Sequence, residues 1–210
     1  MIAHYPDCTN AVRCLCEIKR YLRLIGVLIL TLSIELVGVK LSQSLALSSD
    51  AGHLSIDLTV HITSLIVALK VYFGGESKVV RRVGLAIHIL LLFFIAAVIG
   101  IEAFERLETG GYHIEPKTAI LFSVIGGLGN FWQYRLSGGA HSHNETHTWL
   151  NIHILIDLFY SGVAATSAFL TDVTGLQIID PIASMILAAF LVGFGLIAIY
   201  NIVAKAAFFS

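Results

Sequence analysis

The chain has 210 residues, of which 57% are hydrophobic and only 13% charged, with a formal net charge of −1. A soluble domain carries about a quarter of its residues as Asp, Glu, Lys and Arg, so a water-soluble globular class is excluded and a chain embedded in a lipid bilayer is expected. The basic residues are few and form no stripe interleaved with aromatics, which excludes nucleic acid as a partner.

Residues 1–21 are polar and mixed in charge, with no short apolar core leading to a small-residue cleavage site. They read as a cytosolic tail and not as a cleavable signal peptide. Cys8, Cys14 and Cys16 are odd in number and have no partners elsewhere, so a reduced tail is expected. With His4 they suggest a soft-metal trap, but Cys-x-Cys lacks the spacer of structural zinc sites, and a solvated tail is the simpler reading.

Runs apolar enough to cross a bilayer, which takes about 20 residues each, follow at 22–40, 45–70, 83–104, 117–135, 149–170 and 180–203. The stretches FGGESKVVRR, ERLETGGYHIEPK, LSGGAHSHNETH and TDVTGLQIID punctuate them with Gly, Pro and polar groups. The last run opens with Asp180-Pro181, the pattern of an N-cap acceptor followed by a residue that needs no amide partner. An all-α integral membrane protein with six transmembrane helices over residues 22–205 is expected, with no soluble carboxyl-terminal domain after it.

Lys and Arg give the orientation. Arg13, Lys19, Arg20, Arg23, Lys70, Lys78, Arg81, Arg82, Arg135 and Lys205 fall on one side of such a bundle, and only Lys40, Arg106 and Lys117 on the other. The basic excess places both termini in the cytosol, in a cell (inner) membrane or an organelle membrane.

The second run is polar where it should be apolar. LALSSDAGHLSIDLTVHITSLIVALK contains Asp50, His53, Asp57 and His61, and an aspartate at mid-membrane costs about 2.5–3.5 kcal/mol on insertion scales. At about 100° per residue these four and Ser64 fall within about 80° of arc, forming one stripe. In the fifth run His153 and Asp157 repeat the His-x-x-x-Asp spacing, and Tyr160 and Ser167 extend their face. The repeated pair is consistent with an internal pseudo-symmetry of the kind many transporters show.

A His and an Asp four apart on a helix reach the same cation. Two such pairs on facing helices offer two imidazole nitrogens and two carboxylate oxygens, a set that suits Zn²⁺. Mg²⁺ and Ca²⁺ prefer all-oxygen shells, and Cu(I) prefers sulfur. His61 and His88 read more simply as helix–helix hydrogen bonds. Asp50 sits near the end of its run, where a cap or a water-facing role competes with a metal or proton-relay role.

These residues also carry a family resemblance. ELVGVKLSQSLALSSDAGHLSIDL, THTWLNIHILIDLFYSGVAA and GLQIIDPIASMILAAFLVGFGLI resemble helices one and two, five, and six of the cation diffusion facilitator family of zinc exporters. The resemblance covers residues from about 20 to 205, and its most specific parts are the two His-x-x-x-Asp pairs and Asp180-Pro181. It implies a transport site of His53, Asp57, His153 and Asp157, in a bundle of helices 1, 2, 4 and 5, with Zn²⁺ as transported substrate. The His/Asp pair of the second helix resembles the zinc-selective members, and a homodimer is implied. Two features depart from the family: Gly84 stands in RRVGLAIH where an acidic residue is usual, and the cytosolic metal-sensing domain of most members does not follow.

Zinc needs neutral imidazole and ionised carboxylate, so protons compete for the same atoms. A site open alternately to two sides therefore exchanges Zn²⁺ for H⁺, and rocking helices supply the alternation. Gly38, Gly126, Gly127 and Gly129 allow the close packing such motion needs. His141, His143 and His147 in HSHNETH suit ion capture before entry, against a plain solvated loop. An alternative is an intramembrane zinc-dependent hydrolase, which needs an open coordination position and a general base. Glu35 and Glu102 are the glutamates inside the spans, but His-Glu-x-x-His and Gly-x-Ser-x-Gly do not occur. A heme-binding or purely structural membrane subunit would leave both aspartates unexplained.

Overall fold

The computed structural model describes residues 15–75, 78–110, 112–137 and 145–208; the side chains of residues 16, 17, 145–153 and 201–208 lie outside that description. Six helices run in chain order: α1 (Leu15–Ser42), α2 (Leu45–Tyr72), α3 (Lys78–Thr109), α4 (Pro116–Ser137), α5 (Glu145–Thr174) and α6 (Ile179–Phe208). Each expected span lies within one helix. By length and composition α1, α2, α3, α5 and α6 each hold a segment able to cross a membrane. α4 has 22 residues, enough for the hydrocarbon at about 1.5 Å per residue, but Lys117, Asn130 and Gln133 dilute its hydropathy.

Polarity is inverted relative to a soluble fold. Leu30, Phe94, Trp132 and Leu196 face outward, whereas Glu35, Asp50, His53, Asp57, His61 and Asp157 are buried. Hydrocarbon as solvent selects this arrangement, since a lipid-facing polar group finds no partner.

α2 is the central helix. Among the described residues it packs against all five others, whereas α1 touches only α2 and α4, and α3 only α2 and α6. α5 fits between α4 and α6. Thus α1, α2, α4 and α5 pack as one group, and the α3–α6 pair joins it through α2 and, to a lesser extent, α5. The helix with the most polar stripe is therefore the one most enclosed by protein.

Glycine sets how closely α1 and α4 approach. A Cβ at Gly126 would fall 1.8 Å from Glu35 Oε1, one at Gly129 2.3 Å from Thr31 Oγ1, and one at Gly38 2.4 Å from Phe122 Cβ. Gly127 faces α5 instead, where a Cβ would rest 3.5 Å from Ser161 Cβ in ordinary contact. Gly84 brings α3 against α2, and a Cβ there would lie 2.2 Å from Thr63 Cγ2. That contact leaves no room for an acidic side chain at residue 84.

Only Gln43 and Ser44 separate α1 from α2. Gln43 has φ 57°, a left-handed conformation uncommon outside glycine, and its carbonyl accepts from Arg106 Nη1 at 2.8 Å. Ser44 caps α2, its hydroxyl oxygen accepting from Leu47 N at 3.2 Å. The amides of Leu45 and Ala46 donate to the carboxylate of Asp180 at 2.7 and 3.3 Å, and the Ser44 hydroxyl donates to it at 2.5 Å. The sequence assigned this carboxylate to its own helix. α6 does start there, at Ile179, but Asp180 serves α2, whose unpaired N-terminal amides and positive dipole end attract a carboxylate.

Asp180→Ala leaves those buried donors without an acceptor and is expected to cost about 2–3 kcal/mol, read as a lower thermal midpoint in detergent. Asp180→Asn keeps one acceptor oxygen and is expected to lose less; an unchanged midpoint in the alanine variant would refute the cap. At the α1–α4 contact, Gly129→Ala is expected to destabilise by about 1–3 kcal/mol through overpacking, while Gly127→Ala stays near wild type. Equal midpoints for the two variants would contradict the packing described.

Candidate metal centre

The first half of α2 is buried along its polar stripe, and Asp50, His53, Asp57 and His61 are each at most 1% exposed. His53 Nε2 lies 3.1 Å from Asp157 Oδ1 of α5 and 3.9 Å from Asp57 Oδ2 one turn along its own helix. One nitrogen of His53 and one oxygen each of Asp57 and Asp157 lie within 4.8 Å of one another. Two helices far apart in sequence thus bring one imidazole and two carboxylates to a single point, and this donor chemistry fits a divalent cation.

Tyr160 holds the imidazole plane. It lies three residues after Asp157 on the same face of α5, and its ring stacks on His53 with centroids 4.6 Å apart and planes 18° apart. The phenol hydroxyl donates to Leu187 O of α6 at 2.9 Å, which fixes the ring in turn. Around the ring Ile56, Leu92, Ala96, Leu187 and Leu191 form an apolar cluster. Stacking and exclusion of water on that side restrict His53 to the carboxylate side, as outer partners of metal ligands commonly do.

A polar chain links α4 to α5 beside the group. Gln133 Nε2 donates to Asn130 Oδ1 at 3.2 Å, and Asn130 Nδ2 donates to Ser161 Oγ at 3.0 Å. Ser161 is one turn beyond Asp157, so this chain helps set the rotation of α5. The sequence reading missed it, although two amides three apart in a span were the available signal.

The other residues of the sequence reading are placed as follows. His153 lies on α5 one turn before Asp157, but its side chain lies outside the described residues. The His147 side chain, and residues 141 and 143 entirely, lie outside them too. His61 Nδ1 donates to Asp57 O of its own helix at 2.8 Å, a bond within α2 where the sequence suggested one between helices. Asp50 is fully buried and Ser44 is the cap of α2, so neither a water-facing nor a capping role describes Asp50. It does not join the group of three. Glu102 pairs with Arg106 at 2.7 Å and is 46% exposed on α3, whereas Glu35 is fully buried.

A family model described as the cation efflux transmembrane domain matches residues 22–204. The zinc transporter ZitB of Escherichia coli is 29% identical over 198 residues, covering 89% of this chain and 59% of that protein. The cadmium, cobalt and zinc/H(+)-K(+) antiporter of Bacillus subtilis is 31% identical over 168 residues, covering 74% and 52%. The human proton-coupled zinc antiporter SLC30A2 is 26% identical over 183 residues, covering 76% and 48%. This chain therefore spans about half the length of the curated relatives it matches. With a match over nearly all of its length, the chain belongs to the cation diffusion facilitator family, as its cation efflux transmembrane domain.

Proposed function

We propose that the chain exports divalent metal across a membrane, carrying Zn²⁺ in exchange for protons through a site made by His53, Asp57, His153 and Asp157. The observation that carries this reading is the 3.1 Å approach of His53 to Asp157 with both side chains 1% exposed. Burying an imidazole and two carboxylates together in a membrane bundle is costly, and a cation of matching charge offsets that cost when bound. His153, one turn from Asp157, supplies the second nitrogen of a four-donor set.

The chemistry of exchange follows from the donors. Zn²⁺ requires a lone pair on each imidazole and an ionised carboxylate, so each bound ion displaces the protons these atoms held. Acid on the release side protonates the same atoms and lowers metal affinity there. Tyr160 and the Asn130–Ser161 bond keep the donors aligned, and the apolar cluster keeps water from one side of them. Relatives named as a proton-coupled zinc antiporter and as a zinc/H(+)-K(+) antiporter support the exchange reading.

The basic excess of the amino end, the α2–α3 segment and the end of α4 supports cytosolic termini, so the α1–α2 turn faces the opposite side. Histidines 141, 143 and 147 fall on the cytosolic side in that orientation, where ion capture competes with a plain solvated loop. Residues 1–21 form the cytosolic tail, residues 22–205 the transport domain, and two copies assemble. The hydrolase alternative loses support at Glu102, which is paired on the surface of α3. None of the relatives named above carries an enzyme's name.

Asp157→Ala is expected to lower zinc affinity by about 100-fold or more, beyond the 10–100-fold typical of residues behind the ligands, while His141→Ala changes it little. Equilibrium zinc binding to the purified protein checks both, and an unaffected Asp157→Ala would remove the central site. In proteoliposomes, zinc flux is expected to rise with an imposed pH gradient that is acidic on the release side. A flux indifferent to the gradient contradicts exchange, and an absence of flux alongside zinc-dependent hydrolysis supports the enzyme.

A further inference from the structure

Glu35 has no place in the quartet, yet it is an acid enclosed by the bundle. It lies two turns before the end of α1, is fully buried, and neither carboxylate oxygen has a hydrogen-bond partner among the described residues. Its carboxylate is pressed onto the Gly126 backbone of α4, where a Cβ would stand 1.8 Å from Oε1 and 2.8 Å from Cδ. The glycine thus makes space for this head group in particular. It stands outside the group of donor atoms formed by His53, Asp57 and Asp157.

Among the described residues, the charges whose fields reach Glu35 include two acids, Asp50 of α2 and Asp157 of α5. The described part of α1 packs against α2 and α4 alone. α4 presents Gly126 and the buried Ser123 on this side, while its ionisable residues Lys117, Tyr134 and Arg135 are exposed. An ionised carboxylate with no hydrogen bond in a bundle interior is among the costliest groups a protein can hold. A neutral, protonated carboxyl avoids that cost, and two further acids of the bundle face the same space. A divalent ion among His53, Asp57 and Asp157 offsets the negative charge that faces Glu35 and favours release.

Position supports the same role. Glu35 is seven residues from the end of α1 and Asp50 five from the start of α2, about 10 and 8 Å along their axes from the α1–α2 turn. His53 and Asp57 lie deeper, about 12 and 18 Å along α2. A proton entering from the turn end meets Glu35 and Asp50 before it meets the ligands.

We infer that Glu35 is a proton-binding site separate from the metal ligands, which releases its proton as a divalent cation enters the His/Asp group and regains it as the cation leaves. The proton passes to and from water, and Glu35 forms no bond to the metal. This rests on the exchange reading above and adds one titrating group to it. Ionised Glu35 strengthens cation binding through its negative potential and protonated Glu35 withdraws that help, so acid on the turn side weakens the site.

The test is zinc binding to the purified full chain across mildly acidic to mildly alkaline pH, where the slope of log affinity against pH counts the protons released per ion. Glu35→Gln, which mimics the protonated state, is expected to match wild type at the acidic end and to bind several-fold more weakly at the alkaline end. Its slope is expected to be lower by up to about one proton. Glu35→Asp, which keeps an ionisable group but draws it back from Gly126, is expected to retain the slope with the curve displaced along pH. A Glu35→Gln slope equal to wild type, or a loss of affinity equal at every pH, overturns the inference in favour of a packing role. Should Glu35→Gln fail to fold, an undisplaced Glu35→Asp curve overturns it as well. A wild type whose own affinity ignores pH instead overturns the exchange reading, so the two failures are distinct.

Discussion

Everything in this bundle follows from the difficulty of keeping ionisable groups in hydrocarbon. Each of Glu35, Asp50, His53, Asp57 and Asp157 would be expelled from a lone membrane helix at a cost of a few kcal/mol. They persist because α2 is enclosed by five neighbours, so that the stripe faces protein along its first half. The His53–Asp157 approach, the Tyr160 stack and the Asn130–Ser161 bond are local answers to the same problem.

The bundle meets this demand with two kinds of contact. Around the donor group the contacts are polar and directional, and they fix rotation about each helix axis. Between α1 and α4 they are glycine-mediated and depend on shape, which sets distance but not charge. The Gly126–Glu35 contact combines the two, because a close backbone approach there accommodates a carboxylate where a methyl group would be expected. Removing that space would bring α4 into conflict with an acid instead of with a hydrocarbon side chain.

Much of this architecture was legible in the amino-acid order. Six apolar runs give six helices, because hydropathy in a membrane chain reports the outer surface directly. Asp50, His53, Asp57 and His61 share one buried face of α2, the stripe that the angular arithmetic describes, and Asp157 of α5 approaches His53. What the sequence left open depended on which helix neighbours which. Asp180 looks like the cap of its own helix until α6 is seen beside the start of α2, and a cap or water-facing role stays open for Asp50 until the first half of α2 is seen to be buried. Glu35 and Glu102 are alike in one dimension; packing buries one and pairs the other with Arg106 at the surface. Gly127 likewise cannot be told from Gly126 by composition, since a rotation of about 100° sends it to a different neighbour.

The Asp180 bonds have a mechanical consequence. They fasten the first turn of α6 to the first turn of α2, and Arg106 of α3 ties the intervening Gln43 carbonyl to the same knot. Three helices of the bundle therefore share one fulcrum at the end bearing the α1–α2 turn. Any tilt of the α3–α6 pair that leaves these bonds intact moves least at the fulcrum and most at the far end. Over a 28-residue helix such as α2, about 42 Å of lever, a few degrees of rotation at the knot displaces the opposite end by several ångströms.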